Sequence, residues 1–137
     1  MDDVEAIRQL KARYFRTMDT KDWAEMRRVF TDDVVVDTSE AGGSVVTGAD
    51  EFMVFLQEAL GGAVTVHQGH MPEIDLTSET TATGIWALND IVIFPNGLRL
   101  DGYGHYRETY EKGSDGWRIR SSKLTRLHTD LRMPEGA

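Results

Sequence analysis

The stretch that most constrains this chain is V-T-V-H-Q-G-H-M-P-E-I-D-L-T-S-E-T-T-A-T-G-I-W-A-L-N-D-I-V-I-F, from Val64 to Phe94. β-Branched and apolar residues crowd both halves and turn-formers sit between them, so it reads as two long strands joined at Ser78-Glu79. A tight turn centred there puts Ile74 opposite Thr83, Leu76 opposite Thr81 and His67 opposite Asp90. Directly opposed side chains lie within hydrogen-bonding reach. A histidine and a carboxylate are therefore expected to meet mid-sheet among Val, Trp and Leu, and a slip of one residue would undo the pairing.

The rest of the chain reads as one domain over residues 1–137, long enough for one real core. A net charge of −8 argues against nucleic acid and against an anionic membrane surface. With no cysteine, disulfides, thiolate metal sites and thiol nucleophiles are excluded. The start M-D-D-V-E-A-I is acidic without an apolar core, and no apolar run approaches a membrane span, which gives a cytoplasmic expectation.

Asp2 or Asp3 caps a first helix whose stripe is Val4, Ile7, Leu10, Tyr14 and Met18, with Asp19 just past its end. A second helix carries Trp23, Met26 and Phe30 and ends at Thr31-Asp32-Asp33; Val34 to Asp37 is a strand and Val45-Val46 a short return. Thr47 to Asp50 opens a third helix, stopped by Gly61-Gly62. After the long hairpin, Asn96-Gly97 reads as a two-residue loop that brings Tyr103 opposite Asp90 from the other side, and His105 opposite Leu88. Tyr106 and Tyr110 then lie on the opposite face from Tyr103. A last strand starts at Trp117, and the tail from Leu131 reads as loose. Helices first and then a run of antiparallel strands is an α+β layout. Both parities of the central strands are apolar, so helices cover one sheet face and another subunit is expected on the other.

Tyr14…Asp19, His67, Asp90 and the pair G-Y-G-H-Y-R-E-T-Y…G-W-R-I, with the opening R-Q-L-K-A-R-Y-F-R-T-M-D-T-K-D-W, resemble the SnoaL-like branch of the nuclear-transport-factor-2-like superfamily over nearly the whole chain. The resemblance implies a cone: a strongly bent antiparallel sheet around about three helices, with a deep apolar pocket. It also implies a catalytic dyad at the positions of Asp19 and His67, a pocket tyrosine at Tyr14 and a second carboxylate at Asp90. Dimers and trimers both occur in the superfamily, and the dehydratase-like pattern leans toward a homotrimer.

His67 is the expected base, because a neutral imidazole beside a carboxylate takes a proton near physiological pH. Either Asp19 or Asp90 orients it. Tyr14 would steady an oxyanion, as would Tyr103. His70 has the opposite parity, and a bulge at Gly69 would bring it to the pocket with or instead of His67. His105, Phe15, Phe55, Met71, Trp86 and Leu88 are the other candidate pocket liners, beside Phe52 and Met53. With no His-x-His or His-x₃-His pair, no metal and no cofactor are expected. The expected activity is elimination, of dehydratase type, on a hydrophobic cyclic ketone such as a steroid or polyketide-derived compound. Isomerisation and cyclisation would use the same parts. A non-catalytic binding module, or the small subunit of a ring-hydroxylating oxygenase, are the other readings.

Overall fold

The computed structural model describes residues 1–134. Asp2 opens α1 (Asp3–Asp19), its carboxylate accepting from the Glu5 amide at 2.8 Å. Ile7, Leu10, Tyr14 and Met18 recur three and four apart, and all are buried. Asp22 caps the short α2 (Trp23–Arg27). Phe30 leaves this helix, contrary to the sequence expectation, and begins β1 (Phe30–Asp37). Pairing with Ile119 holds it extended, and the position buries its ring completely. A 3₁₀ turn (Ser39–Ala41) and β2 (Val45–Thr47) lead into α3 (Ala49–Leu60), which buries Phe52, Met53 and Leu56.

Four long strands complete the chain: β3 (Val64–Leu76), β4 (Thr81–Ile93), β5 (Arg99–Gly113) and β6 (Gly116–Arg132). The sheet order is β2-β1-β6-β5-β4-β3. β1 joins β6 in parallel, so the sheet is mixed rather than wholly antiparallel. No hairpin links these two strands, so no turn signal fixes their relative direction. The core lies between the helices and the inner sheet face, with Ile7, Leu10, Phe30, Phe52, Trp86 and Ile119 at its centre. Among the described residues no helix is long and apolar enough to cross a membrane.

Three registers position the site. Next to the Thr77–Thr80 loop, Leu76 pairs with Ala82 and Ile74 with Gly84, one step from the expected partners. A bulge between His70 and Glu73, where Met71 has φ 40°, removes that step, and His67 faces Asp90. In the next hairpin the loop is Pro95-Asn96-Gly97, three residues rather than two, with Gly97 at φ 88°. That slip brings Tyr103 opposite Asn89 and Gly102 opposite Asp90, and sends Tyr103 to the outer face. Between β5 and β6 the register shifts twice, leaving Arg120 and Leu127 as the extra residues. β6 runs on to Arg132 and pairs Leu131 with Leu100, so the expected loose tail is strand at its start; residues 135–137, including Gly136, lie outside the described residues.

Candidate active site

The last residue of α1 meets the middle of β3. Asp19 Oδ1 lies 2.7 Å from His67 Nδ1, and Asp19 Oδ2 accepts the His67 backbone N–H at 2.8 Å. The Thr65 hydroxyl donates to Asp19 Oδ1 at 3.0 Å and accepts from Lys21 Nζ at 2.6 Å. The carboxylate thus gathers three donors, and His67 carries its proton on Nδ1. Its other nitrogen, Nε2, is left as an acceptor. Phe15 stacks on the imidazole, with centroids 6.2 Å apart and planes 15° from parallel. Gly69 allows this packing: a Cβ there would lie 2.6 Å from the Phe15 ring.

Asp90, buried on β4, lies 3.8 Å from His67 Nε2, beyond a hydrogen bond. Arg126 from β6 grips Asp90 with two bonds of 2.6 and 3.0 Å. Gly102 lies between them on β5, and any side chain there would collide with both the guanidinium and the carboxylate. Arg126 Nε is buried and has no partner among the described residues.

His67, Asp90 and Arg126 line a cavity of about 550 Å³ together with Tyr14, Tyr106 and Ser122. The rest of its wall is mainly apolar: Phe52, Phe55 and Leu56 from α3, Val92 and Leu124 from the sheet, and Phe94 just past the end of β4. Burial, with the charge of Glu108 behind it, pushes the Tyr14 phenol up; burial does the same for Tyr106. Both hydroxyls therefore stay protonated and can donate. Behind them Lys11 and Glu108 form a pair of 2.8 Å with no solvent access. The Lys11 ammonium lies 3.7 Å from the Tyr14 ring centre and 3.6 Å from that of Tyr106. Burial pushes this lysine down, and Glu108 offsets the effect.

The structure thus brings together Tyr14, Asp19, His67 and Asp90, and it adds Phe55 to the cavity wall. Phe15, Trp86 and Leu88 lie on the same side of the sheet but pack in the core around it. Four expected liners are displaced. Tyr103 is on the outer face through the three-residue loop, and His105, two residues on, shares that face opposite Ala87. His70 is exposed and bonds Asn89 at 3.1 Å, because the bulge follows it instead of falling at Gly69. Met71, on the bulge, is 91% exposed. Arg126, Tyr106, Thr65 and Lys21 escaped the sequence reading. An inward arginine opposite a glycine-bearing strand was the available signal for Arg126, but the bulge at Arg120 reverses the parity from which it would be read.

A SnoaL-like domain model matches residues 1–123. "Probable cyclase FGR4" of Gibberella zeae is 24% identical over 137 residues, covering 91% of each chain. Among solved structures, a candidate scytalone dehydratase from Novosphingobium aromaticivorans DSM 12444 superposes with a TM-score of 0.83 at 23% identity, covering 98% of this chain and 93% of its own. A type 2 hexachlorocyclohexane dehydrochlorinase (LinA) gives 0.84 at 15% identity, covering 97% and 94%. At these identities the two structures speak for the fold. With the domain match running from α1 into β6, the chain belongs to the SnoaL-like family.

Proposed function

We propose that the protein is a cofactor-independent lyase that removes water, or another β-leaving group, from a hydrophobic cyclic ketone. One observation carries this reading. Asp19 occupies Nδ1 of His67, while Nε2 is left without a hydrogen bond at the wall of an apolar cavity. A histidine that served only packing would be satisfied at both nitrogens. Nε2 takes the proton next to the substrate carbonyl. The electron pair moves onto the carbonyl oxygen, where the Tyr14 or Tyr106 hydroxyl donates to the enolate. The enolate then expels the β-hydroxyl, which takes the proton back from Nε2 and leaves as water. Asp19 holds the ring, and Asp90 steadies the imidazolium between the two transfers. Arg126 offsets the charge of Asp90 throughout.

The names of the relatives support this class rather than one substrate, since cyclisation, dehydration and dehydrochlorination can all start by removing a proton. The test uses 3-hydroxy-1-tetralone, which loses water to give fluorescent 1-naphthol. Turnover above buffer that His67→Gln abolishes is the expected result. Binding without turnover in wild-type protein would leave a binding module.

A further inference from the structure

Lys21 is a half-buried residue in the break between α1 and α2 and has no part in the chemistry above. Its backbone stands at φ 61°, the left-handed turn that closes α1: the Lys21 N–H bonds the Met18 carbonyl at 3.1 Å and the Asp22 N–H that of Thr17 at 2.8 Å. Glycine would adopt it without strain. From this turn the side chain reaches across to β3, where Nζ donates to Thr65 Oγ1 at 2.6 Å. Thr65 is buried on β3, and its hydroxyl also lies 3.0 Å from Asp19 Oδ1.

The direction of this chain follows from what each group can do. A threonine hydroxyl owns one proton. An ammonium only donates, so Thr65 must accept from Lys21 and has its proton free for one other partner. That partner is Asp19 Oδ1, which also faces His67 Nδ1 at 2.7 Å. An ionised Asp19 only accepts, so the ring meets it with an N–H, while Thr65 and the His67 backbone N–H hold the carboxylate in the orientation that receives it. Without Lys21 the Thr65 hydroxyl is free to turn its proton elsewhere, and Asp19 loses one of the donors that orient it.

We propose that Lys21 is a positioning residue that orders the hydrogen bonds from Lys21 through Thr65 and Asp19 to His67, and so keeps Nε2 of His67 unprotonated toward the cavity. The effect on the ring stands by itself; the effect on rate rests on the lyase reading.

The test compares wild type with Lys21→Gly and Lys21→Met. Each is labelled with ¹⁵N, and the two ring nitrogens of His67 are read by long-range ¹H–¹⁵N spectra, with His67→Gln identifying the signals. Lys21→Gly removes the backbone strain, so its melting temperature should equal or exceed that of wild type. The Nδ1–H form of His67 should nevertheless fall from nearly the whole population to a mixture in both variants. Turnover of 3-hydroxy-1-tetralone should drop on the order of tenfold in kcat, with KM little changed. Adding Thr65→Val to Lys21→Gly should cost little more, because the two act through one chain. If both variants keep the wild-type ring pattern, the inference is wrong. If wild type does not turn the tetralone over, the lyase reading fails, and the ring pattern still decides the role of Lys21. Should Lys21→Gly fold poorly, Lys21→Met decides it.

Discussion

Two buried polar clusters lie on either side of Tyr14 and Tyr106, and they are finished to different degrees. In the Lys11–Glu108 cluster every group is answered. Glu108 Oε2 accepts from Lys11 and from Ser122 at 2.7 Å, and Oε1 accepts from Tyr110 at 2.8 Å. Tyr110 in turn accepts from Trp86 Nε1 at 2.9 Å, and the ammonium covers two aromatic faces. In the Asp19–His67–Asp90–Arg126 cluster, His67 Nε2 stops 3.8 Å short of Asp90, Arg126 Nε has no partner among the described residues, and a cavity opens alongside. The closed pair has no solvent access, whereas Asp19 and Arg126 keep 21% and 14% of their side chains exposed. A closed network ties α1 to β5 and β6 and fixes how the elements pack. The open one leaves His67 Nε2 facing the cavity, where the proposed lyase reading needs its base.

The contrast is broken most sharply at its two centres. His67→Gln should lower turnover of 3-hydroxy-1-tetralone by about 10²–10⁴-fold while leaving the unfolding midpoint nearly unchanged. Lys11→Met should do the reverse. It strands the Glu108 carboxylate in the core, and urea unfolding should show a loss of about 3–5 kcal/mol. Replacing both partners, Lys11→Met with Glu108→Leu, should recover most of that loss. If Lys11→Met costs nothing, the closed cluster is not holding the fold.

Gly102→Ala sharpens the contrast at the edge of the open cluster. The added methyl meets the Arg126 guanidinium and the Asp90 carboxylate, so one of the two must move. Stability should fall by about 1–3 kcal/mol, with a loss of kcat beyond that of a remote substitution, checked by urea unfolding and by the naphthol assay. The smallest effect is at Asp101, on the outer face. The bond from Arg99, aided by Arg132, holds its carboxyl down to about 2 against an ordinary 3.8. The folded state then binds fewer protons than the unfolded one between those values. The stabilisation is complete above the ordinary value and is lost as pH falls through about 2. Asp101→Asn should thus lower the unfolding midpoint slightly at neutral pH, by less near pH 2, and not at all well below it.

How far the site could be read from the chain depended on where errors in register fell. His67 and Asp90 were legible because two departures cancelled: a loop one step wider than expected, and a bulge at Met71 that took the step back. A bulge carries little sequence signal beyond the Pro72 beside it, so nothing local announces the cancellation. Tyr103 shows the uncompensated case. Asn-Gly favours a two-residue loop, but Pro95 and a left-handed Gly97 make three, and every side chain of β5 changes face. Tyr106 therefore takes the place foreseen for Tyr103. Arg126 lies beyond the bulge at Arg120, so alternation counted from Trp117 points it outward. The first helix was easier, since Ile7, Leu10, Tyr14 and Met18 follow a period that no distant pairing can shift.

The central claim is that His67 Nε2 removes a proton next to a ketone bound in the cavity. It is tested most directly with 1-tetralone, which has such protons and no group to eliminate. In D₂O, proton NMR follows the loss of the C2 proton signal with wild-type protein, with His67→Gln and with buffer. Loss with wild type well above the rate in buffer, returning to the buffer rate in His67→Gln, is the predicted result. Bound 1-tetralone that exchanges no faster than in buffer would contradict the claim.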